Sequence, residues 1–176
     1  MNRNRLLVTS VIGTGAVILF PAALAAAPSF EGVDGWEYLT WGMTVEQVGE
    51  ALASRGVAAA YGAATKDPGS WYTITRDKWD GAIYFYNGLL SEVNFEILDA
   101  CTEKEAQAYY DELVARFGPP AEHGTIAAGD LPRDDEYWIW RNPMTELKYT
   151  VGRYYIEGND RVVAWVEYSS VQYPVK

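Results

Sequence analysis

Two helix-start signals of the same kind set how this chain can fold. Thr44-Val45-Glu46-Gln47 and Thr102-Glu103-Lys104-Glu105 each place a threonine three residues before Gln or Glu. That spacing is a capping box, in which the hydroxyl and the later side chain each satisfy a backbone N–H that the first helical turn leaves unpaired. Val45, Val48 and Leu52 mark one face of the first helix, Met43 and Val48 are spaced as a hydrophobic staple, and Gly56 supplies the stop. In the second helix Ala106, Tyr109, Tyr110, Leu113, Val114 and Phe117 recur at helical spacing, and Gly118-Pro119-Pro120 ends it.

Strand signals follow each helix. After a loop over Val57–Gly69, strands are expected at Trp71–Arg76, Ala82–Tyr86 and Leu89–Leu98, separated by turns at Asp80-Gly81 and Asn87-Gly88. In the third of these Leu89, Ser91, Val93, Phe95 and Ile97 alternate with Leu90, Glu92, Asn94 and Glu96. A three-residue loop with a glycine bulge at Gly88 brings Ile83 and Phe85 onto the apolar face of Val93 and Phe95, so burial selects that register. After the second helix a polar loop, Ala121–Asp135, precedes strands at Glu136–Arg141, Glu146–Tyr155 and Arg161–Ser170. The expectation is an α+β fold of two helix-plus-three-strand units. They form an antiparallel sheet with two helices packed on one face, a pseudo-repeat over 39–98 and 101–170.

Residues 1–25 fix the compartment. Met1–Arg5 is cationic, Leu6–Phe20 is uncharged and apolar, Pro21 interrupts it, and Ala23-Leu24-Ala25 offers a small-x-small cleavage site. This is the layout of a secretory signal peptide, so residues 26–176 form the mature domain, periplasmic or secreted. An uncleaved segment would instead anchor the chain, the one route to a membrane. Cleavage removes Arg3 and Arg5 and no acidic residue, so the formal charge of −10 becomes two units more negative. Such acidity argues against a nucleic-acid partner, which needs clustered Lys and Arg; it favours solubility and at most attraction to a basic partner. Cys101 is the only cysteine: no internal disulfide forms, no lipid-bearing cysteine follows the signal, and burial as a small apolar residue is expected.

The stretch Trp41-Gly42-Met43-Thr44-Val45-Glu46-Gln47-Val48 resembles the Gly-Met-Thr-x-x-Gln-Val opening of SmpA/OmlA (BamE-like) domains, an opening shared by the halves of β-lactamase inhibitor protein (BLIP)-like domains. The likeness continues through Asp67-Pro68, Trp71-Tyr72 and Ala82–Val93, covering about residues 39–97. The resemblance implies an exported α+β domain, a small helical layer on an antiparallel sheet, that binds other proteins. The second half lacks the Gly-Met-Thr opening.

Candidate chemistry is sparse. His123 is the single histidine and is read as a surface-loop residue. Asp130, Asp134, Asp135 and Glu136 match no calcium-loop spacing, with Pro132 and Arg133 between them, and are read as a solvated acidic loop. No serine lies in a nucleophile elbow, and the glycines form no phosphate cradle. No catalytic residue, cofactor or metal is assigned, and the chain is read as not an enzyme. Aromatics are the surplus, with 7 Trp and 13 Tyr. Trp138 and Trp140 share one face of their strand, and Tyr84, Tyr86 and Leu90 mark the outer face of the first half. Trp138, Trp140, Tyr84 and Tyr86 are therefore the candidate partner-binding residues. The expected function is a soluble, exported, protein-binding module of the cell envelope, of inhibitor or assembly type, with an envelope or extracellular protein as partner. The alternative is a carbohydrate- or peptidoglycan-binding protein that stacks sugars on the same aromatic face.

Overall fold

The computed structural model describes residues 29–63, 69–76, 79–97, 101–127, 134–156 and 159–174. Residues 1–25, read above as a signal peptide, and Asp67-Pro68 and Asp130 lie outside them. The elements are β1 (Gly35–Trp36), β2 (Leu39–Thr40), α1 (Val45–Ser54), β3 (Ala59–Ala63), β4 (Gly69–Arg76), β5 (Trp79–Tyr86) and β6 (Leu89–Ile97). Then come α2 (Glu103–Phe117), β7 (Glu122–Ala127), β8 (Asp134–Arg141), β9 (Thr145–Ile156) and β10 (Asn159–Ser170). Both helices open on the capping boxes read from the sequence: Thr44 Oγ1 accepts from the Gln47 N–H and Thr102 Oγ1 from the Glu105 N–H. The Gln47 and Glu105 side chains accept in return from the Thr44 and Thr102 N–H groups.

The expectation of two helix-plus-three-strand units is wrong. The described chain is mostly β, and each helix is followed by four strands that join one eight-stranded antiparallel sheet in the order β3-β4-β5-β6-β10-β9-β8-β7. Two of the strands the sequence reading lacked, β3 and β7, are the edges of this sheet; the other two, β1 and β2, pair with each other in a small separate sheet. β3 reads Ala-Ala-Tyr-Gly-Ala and β7 Glu-His-Gly-Thr-Ile-Ala, poor in the β-branched and aromatic residues that mark a strand. An edge strand is held by the ladder on one side, here by Tyr61 opposite Tyr72 and His123 opposite Trp138.

The β5–β6 hairpin corrects a second expectation. Asn87 and Gly88 both have positive φ, 53° and 76°, and form a two-residue turn that pairs Tyr86 with Leu89. The extra residue sits one step further on: Phe85 faces Leu90, Tyr84 faces Glu92, and Ser91 is the bulge. Its buried hydroxyl accepts from the Tyr86 N–H and donates to the Leu89 carbonyl. Ile83, Phe85, Val93 and Phe95 do share the buried face, but Leu90 joins them there at 0% exposure instead of facing out.

The helices lie on that same face. Tyr72 donates to the Val45 carbonyl in α1, and Tyr149 to the Ala106 carbonyl in α2. Between helices and sheet the core holds Val48, Leu52, Val93, Leu113, Phe117, Leu147, Val166 and Tyr168, together with Cys101. Residues 30–41 complete it: Trp36 packs 4.8 Å from Phe95 and Phe30 meets Phe117 edge-on at 5.2 Å. This segment is fastened to the β8–β9 turn. Asn142 Nδ2 donates to the Phe30 and Val33 carbonyls, and Trp41 Nε1 donates to the buried Thr145 hydroxyl.

Candidate functional site

With the helices covering one face, the described residues leave the other open, and its strands line a cavity of about 550 Å³. Thr73 and Asp80 on β4 and β5 line one end and Ile126 and Asp135 on β7 and β8 the other, so the cavity runs across the open face from β4 to β7. Its middle is built at the β6–β10 seam, where Glu96 faces Trp165 and Asn94 faces Glu167, with Lys148 and Thr150 beside them on β9. That volume lies within the range of ligand-binding clefts.

Aromatics pave both flanks by the same device. Trp71 on β4 lies across Gly62 of edge strand β3, and Tyr137 on β8 lies across Gly124 of edge strand β7. A Cβ would stand 2.6 Å from the Trp71 indole at Gly62 and 2.6 Å from the Tyr137 hydroxyl at Gly124, so only glycine lets these side chains lie across the edge. Tyr84 lines the cavity, and Tyr86 lies on the same face two residues along β5.

The face is acidic. Asp80, Glu96, Asp135 and Glu167 line the cavity, and Glu92 lies next to it on β6. Burial, then the neighbouring Glu167 carboxylate, pushes the Glu92 carboxyl above its usual range, and the Asn94 side-chain amide at 3.0 Å offsets part of this. A raised carboxyl binds its proton more tightly folded than unfolded, so its ionised form weighs against the fold. That penalty is relieved as pH falls through the raised value. Glu92→Gln is therefore expected to be more stable than the wild type at neutral pH, with the gap closing on acidification. Urea titrations across that range check it, and a variant less stable at neutral pH would contradict it.

Of the residues singled out from sequence, Tyr84 and Tyr86 are on the open face and Trp138 and Trp140 are not. Trp140 is 1% exposed and donates from Nε1 to the Gly118 carbonyl at the end of α2. Trp138 packs between Tyr110 and Tyr149. Both faces of β8 are apolar, and α2 covers the face with the larger rings, leaving Tyr137 and Ile139 on the open side. His123 lies in β7 rather than in a loop, stacked on Trp138 at 5.0 Å on the face away from the cavity. Asp135 and Glu136 are adjacent in β8 and point to opposite faces. Asp135 lines the cavity, while Glu136 lies 3.6 Å from Arg153, which also pairs with Glu103 of α2.

Sequence reasoning missed Trp71, Tyr137, Tyr154, Trp165 and Asp135 as open-face residues. The signal was present in β10, where Trp165 and Glu167 alternate with Ala164, Val166 and Tyr168. No family model, curated protein or solved structure matches the chain.

Proposed function

We propose that this protein is an exported, soluble, non-enzymatic binding module of the cell envelope, of inhibitor or assembly type. Its open sheet face receives a basic segment of another envelope or extracellular protein. The observation that carries this reading is the open face itself: a rigid sheet whose cavity is walled by carboxylates and aromatic rings, on a chain of formal charge −10. Aromatic side chains supply contact area at low conformational cost, and negative potential steers a cationic partner. The signal layout of residues 1–25 supports export, and the resemblance of residues 39–97 to SmpA/OmlA and BLIP-like domains supports protein binding.

The test is recovery of partners from an envelope or culture fluid fraction by the mature chain, set against Trp71→Ser and Tyr84→Ser. Neither side chain belongs to the core, so the variants are expected to stay folded and to lose the partner. Equal recovery by the folded variants would remove this face from the reading. The same rings suit a second ligand class, since Trp71, Tyr84 and Trp165 could stack sugars. A saturable change in tryptophan fluorescence with peptidoglycan fragments, and none with basic peptides, would favour that glycan reading.

A further inference from the structure

One carboxylate of the cavity differs from the others in burial and in lacking a partner. Asp135 is 7% exposed, lines the cavity, and its Oδ1 has no hydrogen-bond partner among the described residues. An unpaired buried carboxylate oxygen is costly, and folded proteins seldom keep one without a use. Its surroundings are arranged around it. A Cβ built on Gly152 would stand 2.7 Å from Asp135 Oδ1, 2.8 Å from Tyr154 Cε2 and 2.9 Å from Trp165 Cη2. The carboxylate and two rings therefore close together over the bare Cα of Gly152 in β9, where any side chain would collide with all three. The rings meet nearly at right angles, 73°, with centroids 5.9 Å apart. Lys148, on the same wall, holds its Nζ toward the Tyr137 ring, 5.6 Å from its centroid.

We propose that Asp135, Tyr154 and Trp165 form a receptor for an arginine side chain presented by the partner polypeptide, a proposal that rests on the binding role given above. The chemistry selects the occupant. A carboxylate beside aromatic faces fits a planar, weakly hydrated guanidinium, which takes two parallel hydrogen bonds and stacks on rings. A hard metal ion would need several oxygen ligands, and no cluster of three or more metal-binding side chains occurs among the described residues. Carboxylates at Asp80, Glu96 and Glu167 extend the negative field along the cleft. The cleft is also open and continuous with the Tyr84 wall, so the chain on either side of the arginine can lie along the sheet.

Nuclear magnetic resonance titrations of the labelled mature chain test this with four probes: butylguanidinium, butylammonium, the uncharged butylurea, and calcium. Saturable shifts at the Asp135 carboxyl carbon, the Gly152 amide and the Trp165 indole are expected with butylguanidinium, and none with butylurea. Asp135→Asn should weaken that binding by roughly tenfold or more, and should fold at least as stably as the wild type, because it removes an unpaired buried charge. Gly152→Ala, whose methyl would displace the carboxylate and both rings, should also abolish the shifts. The peptide acetyl-Ala-Arg-Ala-amide should bind more tightly than butylguanidinium. Binding that survives Asp135→Asn, a preference for butylammonium or calcium, a peptide weaker than the free cation, or a marked loss of stability in Asp135→Asn would each overturn the assignment. Partner recovery that depends on Trp71 and Tyr84 but not on Asp135 would overturn it while leaving the binding role intact.

Discussion

Trp140→Ala is expected to lower the free energy of unfolding by about 3–5 kcal/mol, the usual consequence of emptying a large buried aromatic site. The indole is 1% exposed, lies 6.4 Å from the Tyr110 ring, and has its Nε1 on the Gly118 carbonyl. Truncation therefore leaves a cavity under α2 and an unpaired carbonyl at its C-terminal cap, the second worth about 1–3 kcal/mol where water cannot reach. A domain of this size has a total stability of about 5–15 kcal/mol, so the variant stands close to unfolding at growth temperature. Urea denaturation followed by circular dichroism measures it. Trp71→Ser, on the open face, should stay within about 0.5 kcal/mol of the wild type, apart from what the Gly62 contact contributes. Near-equal stability of Trp140→Ala would mean that α2 is not seated on β8 as described. The contrast also bears on function, since partner loss in Trp140→Ala would report unfolding and not a contact.

The second large effect is expected at Gly81. It pairs with Ile74 on one side and Phe95 on the other, and the Phe95 ring lies over it. An alanine Cβ would stand 2.3 Å from Phe95 Cε1, and the ring cannot retreat because Trp36 is packed 4.8 Å behind it. Gly81→Ala should therefore destabilise by about 3 kcal/mol, the upper end for an overfilled core. The outcome runs against the usual gain from replacing a strand glycine with alanine. Phe95→Leu in that background should recover part of the loss, because the two positions share one volume and their effects cannot add. Thermal melts of the two single variants and the double variant check this. An additive double variant would contradict the shared contact.

Local signals were legible where one residue type has one physical use. Two threonines with Gln or Glu three residues on could only open helices, and Asn87-Gly88 could only turn the chain. The common face of Ile83, Phe85, Val93 and Phe95 was also readable, because burial demands it; the means was not. A bulge at Ser91 and a longer loop at Gly88 put those four side chains on one face alike, and differ in whether Leu90 or Leu89 is buried with them. β3 and β7 escaped notice because Ala, Gly, Glu and His carry no strand signal of their own: they are strands because β4 and β8 offer them a ladder. The cavity was hidden for a related reason. Which face of β8 turns inward depends on where α2 lands, and a strand apolar on both sides gives no instruction. Asp135 read as solvated because its sequence neighbours are acidic, whereas its spatial neighbours are Gly152, Tyr154 and Trp165.

The junction of the two halves has a consequence for assembly. β6 and β10 meet through Glu92–Glu96 and Trp165–Ser169, so the middle of the sheet is closed by the last strand of the chain. A chain emerging from its amino end carries the bare rim of β6 until some seventy further residues arrive. Loop closure over that separation makes folding slow compared with a chain of local contacts. It also ties the ring at Trp165 to Glu96 in one late event, so the open-face cleft and the finished sheet come into being together.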